Sequence, residues 1–493
     1  MATAVLLSPL TPPSYHQIKS PTLRIPEDPA VSIPVGILAC QRDPLLRSLD
    51  TVVVSAHEKQ TPPPPAGKKA KKAVLAPELP SGPILGVLLH DTVIFPEGGG
   101  QPTDTGSIRA GDKDWEVVQC KRDGGHAIHY VRVPEGITVQ DALATFAPGT
   151  SVKVSFDWER RYDHMTLHTS QHLLSALLET RLQLPTLSWS LTSYPQPCYV
   201  EVPRGMTQEE IASIQNEANR LVFEGRQVHV EVQEMESKEE GDGSRAFGRG
   251  LPSDYTGGVH RVIVIDGVDR NPCCGTHLPS LHNLQLFLLP HTDALSRSTT
   301  RLYFLAGPRL IAHLAATHAQ LTAAASALTC GLPEVPARVA LVVEDRKRAD
   351  KRVADVEGEL ASHIANELLA ELVAGGSTND TPLKKHLHRT DDTPGALAFL
   401  TAIAAAFERD ERSKGRAYLI VLSSTPSAQT ASSVSVVSVF GSDEKQVQAV
   451  GAMLKAKMGV KGGGRGPKWT GKFTGVWKAG REDVVVEEAL AGV

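Results

Sequence analysis

No run of about 18 consecutive apolar residues occurs among the 493 residues, so no membrane-spanning helix is predicted. The six cysteines, Cys40, Cys120, Cys198, Cys273, Cys274 and Cys330, are too few and too scattered for a disulfide framework. A reducing, cytoplasmic setting is the expectation. Charge of either sign is not in excess: 51 Lys and Arg against 55 Asp and Glu leave a net charge of -4. Affinity for a nucleic acid must then come from a local patch, not from the field of the whole molecule. The first residues, MATAVLLSPLTPPSYHQ, have no basic stretch before their short apolar start and are neither Arg-rich nor clearly amphipathic. They read as a disordered lead, not as a signal or transit peptide.

The hydrophobic share, 41 %, and the charged share, 22 %, are ordinary for globular protein, and the length predicts two to four domains. Residues 1–35 are Pro- and Ser-rich and are expected to form a disordered extension. A barrel domain is assigned to 36–158, where short alternating strands such as ILGVLLHDTVIF, DWEVVQC, HAIHYVRV and SVKVSFDWE are separated by Gly, Pro and Asp. A low-complexity insertion at 57–80, carrying TPPPPAGKKAKKAV, interrupts it.

At 159–308 the period changes. His164, His168 and His172 recur every four residues among leucines, as on a helix with an apolar face. Thr207 followed by Glu210 opens a second amphipathic helix over 207–225 with a capping box. Strand-like segments between and after them predict an α+β domain, a sheet with helices laid on it. Residues 309–374 read as a charged, coiled-coil-like helical segment broken at GLPEVP, a candidate for homodimer formation. A polar linker leads to 395–493, a small α/β domain ending in a basic Gly-rich tail. The fold class expected is therefore multidomain α+β.

Two fragments carry the chemistry. In His168-Thr-Ser-Gln-His172 the i and i+4 side chains share one helix face, close enough to hold one ion. In Cys273-Cys274-Gly275-Thr276-His277 a thiolate and an imidazole lie four residues apart in a Gly-containing turn. Three nitrogens and one sulfur suit zinc, so one Zn2+ per chain is expected on His168, His172, Cys273 and His277. Thr169 stands where a zinc protease carries its glutamate base, which counts against a peptidase. His164 reads as a helix-start packing residue, and Cys274 as pointing away from the ion. The third unusual run is FPEGGGQPTDTG at 95–106, whose spacing matches no phosphate-cradling pattern. Its glycines either make a tight hairpin at the barrel rim or let the backbone approach a partner closely.

FPEGGGQPTDTG, RRYDHMTLHTSQHLLSALL, the helix 207–225 and RVIVIDGVDRNPCCGTH, in that order, resemble the editing region of alanyl-tRNA synthetase and its freestanding AlaX-type trans-editing relatives. The resemblance covers about residues 36 to 310, departing at Cys274, where the family commonly has Gly. KGGGRGPKWTGKF (461–473) is similar to the Gly-rich segment of the synthetase's C-terminal domain, which helps hold tRNA. Fewer than 100 residues stand before the glycine motif at residue 95, so a full synthetase is not expected. The resemblance implies zinc on the four residues named above and an ATP-independent deacylation of Ser-tRNA(Ala), with Gly-tRNA(Ala) second. Ser-tRNA(Thr) stays open, since related editing domains share the metal motif. Substrate contacts would fall on Gly98, Gly99, Gly100, Gln101 and the serine-sensing Ser190. The tRNA would lie on Lys461, Arg465, Lys468 and Lys472, with Trp469, Phe473 and Trp477 interleaved for stacking. The reacting water would be bound or positioned by zinc, and no general base is evident. DNA and membrane are not expected partners. The competing class is a non-catalytic tRNA- or protein-binding module with a structural zinc site.

Overall fold

Alternating burial along short strands builds the first part of the chain. The computed structural model describes residues 10–59, 77, 79–80, 82–234, 259–296, 298–375, 381–392 and 395–493. Most of the 57–80 insertion, KKAKK included, lies outside them. Two compact units are present, Met1–Leu321 and Thr322–Val493.

The first unit begins with β1 (His16–Ile18) and α1 (Ala39–Arg42). Six strands then close a barrel: β2 (Ser48–Lys59), β3 (Ile84–Leu89), β4 (Gly106–Ala110), β5 (Lys113–Asp123), β6 (His126–Arg132) and β7 (Ser151–Phe156). Their order around the barrel is β2-β3-β6-β5-β4-β7, and β7 pairs back onto β2. In β7 every second residue, Val152, Val154 and Phe156, is buried, as a strand with one apolar face requires. The helix α2 (Val139–Thr145) lies between β6 and β7.

The helix α3 (Trp158–Leu182) follows, capped by Asp157, whose carboxylate accepts from Arg160 N. Beyond it come β8 (Ser188–Ser190), β9 (Cys198–Val202), α4 (Gln208–Glu224), β10 (Val228–Glu234), β11 (Val259–Ile265), β12 (Asp269–Pro272), β13 (Phe287–Leu288), β14 (Thr292–Ser296) and β15 (Thr299–Ala306). These strands make two sheets, β1-β10-β11-β12 and β13-β15-β9-β8 with β14 on β15. The predicted capping box of α4 is present, with Thr207 N donating to Glu210 Oε2 and Glu210 N donating to Thr207 Oγ1.

α3 is covered more fully than a helix laid on one sheet. It packs on β12 of one sheet and on β9 and β15 of the other, and every residue from His164 to Leu178 is buried, polar ones included. This stretch lacks a solvent face, so its polar side chains turn into the protein, where His164 Nδ1 and Thr166 Oγ1 have no hydrogen-bond partner.

The described part of the N-terminal extension is not a disordered lead. β1 runs parallel to β10, Tyr15 is buried with its hydroxyl donating to His277 O, and Ile33 and Val35 enter the core. The prolines masked this: an edge strand of three residues tolerates them in its flanks.

The second unit is three-layered. After α5 (Gly307–Ala327) comes α6 (Val335–Ala374), a single helix whose end, from Ala361 to Leu372, is buried against α7 (Ala396–Arg409). Its beginning exposes Val339, Val342, Val343 and Val353. The sheet order is β16 (Leu383–Thr390), β17 (Tyr418–Thr425), β18 (Val434–Gly441), β20 (Lys468–Thr474), β19 (Lys461–Arg465). β17 alternates across the layers: Tyr418, Ile420 and Leu422 meet α6 and α7, while Leu419 and Val421 meet α8 (Glu444–Met458) and α9 (Val484–Ala491). The Gly-rich tail is thus a hairpin and a helix of the domain itself. Trp469, Phe473 and Trp477 are buried in the α8–α9 core, so they do not stack on bases. The interleaving of cation and aromatic in KWTGKF is the period of a half-buried strand, with Lys468 and Lys472 outward and Trp469 and Phe473 inward.

Candidate metal centre

The two motif fragments meet. One donor atom from each of His168, His172, Cys273 and His277 lies within 4.8 Å of the others, and all four residues are buried. The histidines come from one stripe of α3; Cys273 follows directly after β12, and His277 comes four residues later. Cys273 Sγ is 3.4 Å from both His168 Nε2 and His277 Nε2. A tetrahedral zinc with ordinary N and S bond lengths separates neighbouring donors by about 3.5 Å.

Each imidazole is anchored through its other nitrogen. His168 Nδ1 lies 3.0 Å from Gln101 Oε1, His172 Nδ1 3.2 Å from Asp269 Oδ2, and His277 Nδ1 3.3 Å from Thr169 Oγ1. Thr276 N donates to Gln101 Oε1 while Gln101 Nε2 donates to Thr276 Oγ1, which fixes the amide with its oxygen toward His168. An amide oxygen and a carboxylate only accept, so His168 and His172 each carry a proton on Nδ1, which leaves Nε2 as the atom each ring can offer an ion.

The electrostatics agree with a cation site. Burial pushes the Cys273 thiol up, but the imidazoles of His168 and His277 outweigh it and hold the thiol well below its ordinary range. Burial pushes His168 down and His277 well down. Burial also works against a charged His172, yet Asp269 and Cys273 outweigh it and raise the ring to about 10. A buried thiolate and a buried carboxylate together balance one divalent ion.

The glycine run folds against this centre. Gly98 and Gln101 exchange backbone hydrogen bonds around Gly99 (φ +57°) and Gly100 (φ +77°), a tight hairpin turn whose two positive φ values suit glycine. A Cβ on Gly99 would stand 3.3 Å from Cys274 N and 3.6 Å from Cys273 Sγ; one on Gly100 would strike the Trp189 ring at 2.3 Å. Gly275 has the same constraint, since a Cβ there would meet His168 Cε1 at 2.3 Å. Hairpin and close approach, the two readings of the motif, are one structure.

Other expected contacts fall differently. Gln101 is fully buried and engaged with His168 and Thr276, so it holds a ligand and does not line an open pocket. Trp189, not Ser190, stands against the cluster, its ring 5.1 Å from that of His168; alternation along β8 turns Ser190 to the other face. His164 is buried without a hydrogen-bond partner for Nδ1 and is not part of the cluster. Cys274 is outside the set of four donors as expected, its backbone oxygen accepting from Gln41 Nε2.

Sequence reading missed Asp269, Arg261 and Tyr15. Arg261 is buried, and its Nη1 donates to Cys273 O at 2.8 Å and Gly275 O at 2.6 Å, clamping the ligand loop. Asp269 sits within RVIVIDGVDRNPCCGTH, four residues before Cys273, and an acid beside a ligand strand was the available signal.

Sequence comparison finds the same region in known proteins, although no family model matches. The chain is 34% identical over 375 residues to "Alanyl-tRNA editing protein Aarsd1" of Rattus norvegicus, covering 76% of this chain and 81% of the relative. It is 30% identical over 479 residues to "Putative alanyl-tRNA editing protein alaX" of Saccharomyces cerevisiae, covering 92% and 96%. It is 29% identical over 286 residues to "Alanine--tRNA ligase" of Thermococcus kodakarensis, covering 57% of this chain and 30% of the ligase.

Proposed function

The chain belongs to the alanyl-tRNA editing protein family, and from this premise we propose that it is a trans-acting deacylase of mischarged tRNA(Ala). The ester between a wrong amino acid and the terminal ribose is the bond cleaved, with serine the main and glycine the second misattached residue. The observation that carries the reading is the buried three-histidine, one-cysteine cluster with the glycine turn pressed against it.

Zinc fits the donor set, and when bound on His168, His172, Cys273 and His277 it supplies Lewis acidity in a site closed to bulk water. The chain's own residues set the stage. Gln101, Asp269 and Thr169 hold the imidazole orientations, and Arg261 holds the loop that carries the thiolate. The Gly98–Gly100 turn, free of side chains, and the Trp189 ring beside it offer a narrow surface for the acceptor end. An aminoacyl ester is an activated acyl group, so orientation of the reactants accounts for much of the rate required.

One observation favours a second reading: four protein ligands close a tetrahedral site, as in structural zinc. Deacylation separates the two. Purified wild type and Cys273→Ala are assayed on Ser-tRNA(Ala) and Ala-tRNA(Ala), with metal content and circular dichroism recorded. The enzyme reading expects serine released and alanine spared by wild type, and activity lost with the metal in a folded variant. Wild type that binds tRNA(Ala) tightly and leaves Ser-tRNA(Ala) intact would establish the binding module instead.

A further inference from the structure

The second unit has a histidine pair of its own. His386 and His388 lie two residues apart on β16, hence on one face of the sheet, in register with Val421 and Ser423 of β17. That face is the one covered by α8 and α9, and Asp483, just before α9, comes to meet it. A nitrogen from each ring and a carboxylate oxygen of Asp483 lie within 4.8 Å of one another.

The orientation of these groups is supported from behind. Ser423 Oγ is 2.8 Å from His386 Nε2 and 2.8 Å from His388 Nδ1. A hydroxyl oxygen has two acceptor lone pairs, so Ser423 can take a proton-bearing nitrogen from each ring. His386 Nδ1 is then left with its lone pair facing Asp483 Oδ1 at 4.0 Å, beyond hydrogen-bond reach. His388 Nε2 has only Thr425 Oγ1 at 3.3 Å. Trp477 Nε1 donates to Asp483 Oδ1 at 2.8 Å, and the Trp477 ring stacks on His388 at 5.2 Å. The His386 side chain is 7% exposed and that of Asp483 23%, so the two face each other at the partly buried edge of the sheet. A cation between them relieves that opposition, and support of each ligand through its second atom is the pattern of metal sites.

We propose that His386, His388 and Asp483 form a second divalent transition-metal site, independent of the first and free of sulfur. Two imidazoles and one carboxylate suit zinc, cobalt or nickel more than magnesium or calcium. Three protein ligands leave a coordination position open for water or an anion.

Cobalt(II) added to the full chain after chelator stripping tests this. Only the first site offers a thiolate, so only it gives the intense sulfur-to-cobalt charge-transfer absorption. Wild type is expected to bind two equivalents, the second adding d–d bands alone. Cys273→Ala should keep one equivalent without the charge-transfer band. His386→Gln and Asp483→Asn should keep one equivalent with it; the Asn retains an acceptor for Trp477, so its fold is preserved. Saturation of wild type at one equivalent, or two equivalents retained by Asp483→Asn, overturns the site.

Discussion

Gln101 binds both halves of the ligand set at once: its Oε1 accepts from His168 Nδ1 and from Thr276 N, each at 3.0 Å. The glycine-rich turn therefore reaches the candidate metal centre through the Gln101 side chain, which is not one of the four donors. Replacing Gln101 by Ala removes the acceptor that fixes the His168 tautomer and leaves Thr276 N buried and unpaired. Removing such a supporting partner typically weakens metal binding about 10–100-fold. Zinc competition against a chromogenic chelator measures it. A Gln101→Ala protein holding zinc as tightly as wild type would show that the imidazole needs no such support.

Behind the same turn, Asp104 and Arg161 form an ion pair with neither side chain exposed. Asp104 Oδ2 also accepts from Phe95 N at 2.8 Å, and Arg161 Nη2 donates to Val93 O at 2.6 Å. The pair ties the glycine loop to the start of α3. Asp104→Ala strands the guanidinium in the core and should cost about 3–5 kcal/mol in urea unfolding. Asp104→Leu combined with Arg161→Met removes both charges and should cost clearly less than the single change. Equal destabilisation would mean that the site depends on packing, not on charge balance.

The four-residue cluster was legible because helix geometry places i and i+4 residues together whatever surrounds them, and because the CCGTH turn carries both donor types within five residues. The barrel was legible for a similar reason: period-two burial in segments such as SVKVSF is written residue by residue. What was not legible depends on distant pairing. Tyr15 and Asp269 reach the centre only because β1 pairs with β10 and β12 with β11, a register that no local pattern states. The aromatic residues of the tail misled for the opposite reason. KWTGKF has one alternation that fits an RNA-stacking surface and a core strand equally well, and only the layer formed by α8 and α9 decides between them.

Two glycines with positive φ separate backbone strain from close approach. Gly111 (φ +60°) has nothing within 4 Å of a built Cβ, whereas at Gly100 (φ +77°) the Cβ would meet the Trp189 ring at 2.3 Å. Gly111→Ala bears only the left-handed strain, about 1 kcal/mol, and should lower the melting temperature slightly with deacylation unchanged. Gly100→Ala must also displace Trp189 from beside His168. A shift of that size in a positioning group lowers turnover by about tenfold or more. Comparable kcat values for the two variants would remove Trp189 and the turn from the substrate site.

Cation placement on the terminal hairpin calls for an anion. In the β19–β20 register Lys461 stands opposite Lys472, and Arg465 opposite Lys468. Like charges directly across a strand pair are destabilising unless something negative lies over them. Lys468 has an internal partner in Glu408 at 2.5 Å, so Lys461, Arg465 and Lys472 are the residues to change. Deleting the tail would also remove Trp469 and Phe473 from the core, and so tests nothing about charge alone. The triple alanine variant keeps the strands. It should bind tRNA more weakly, and the slope of log affinity against log salt should fall by roughly one for each phosphate that is no longer neutralised. Zinc content should not change. An unaltered salt slope would place the tRNA on another face.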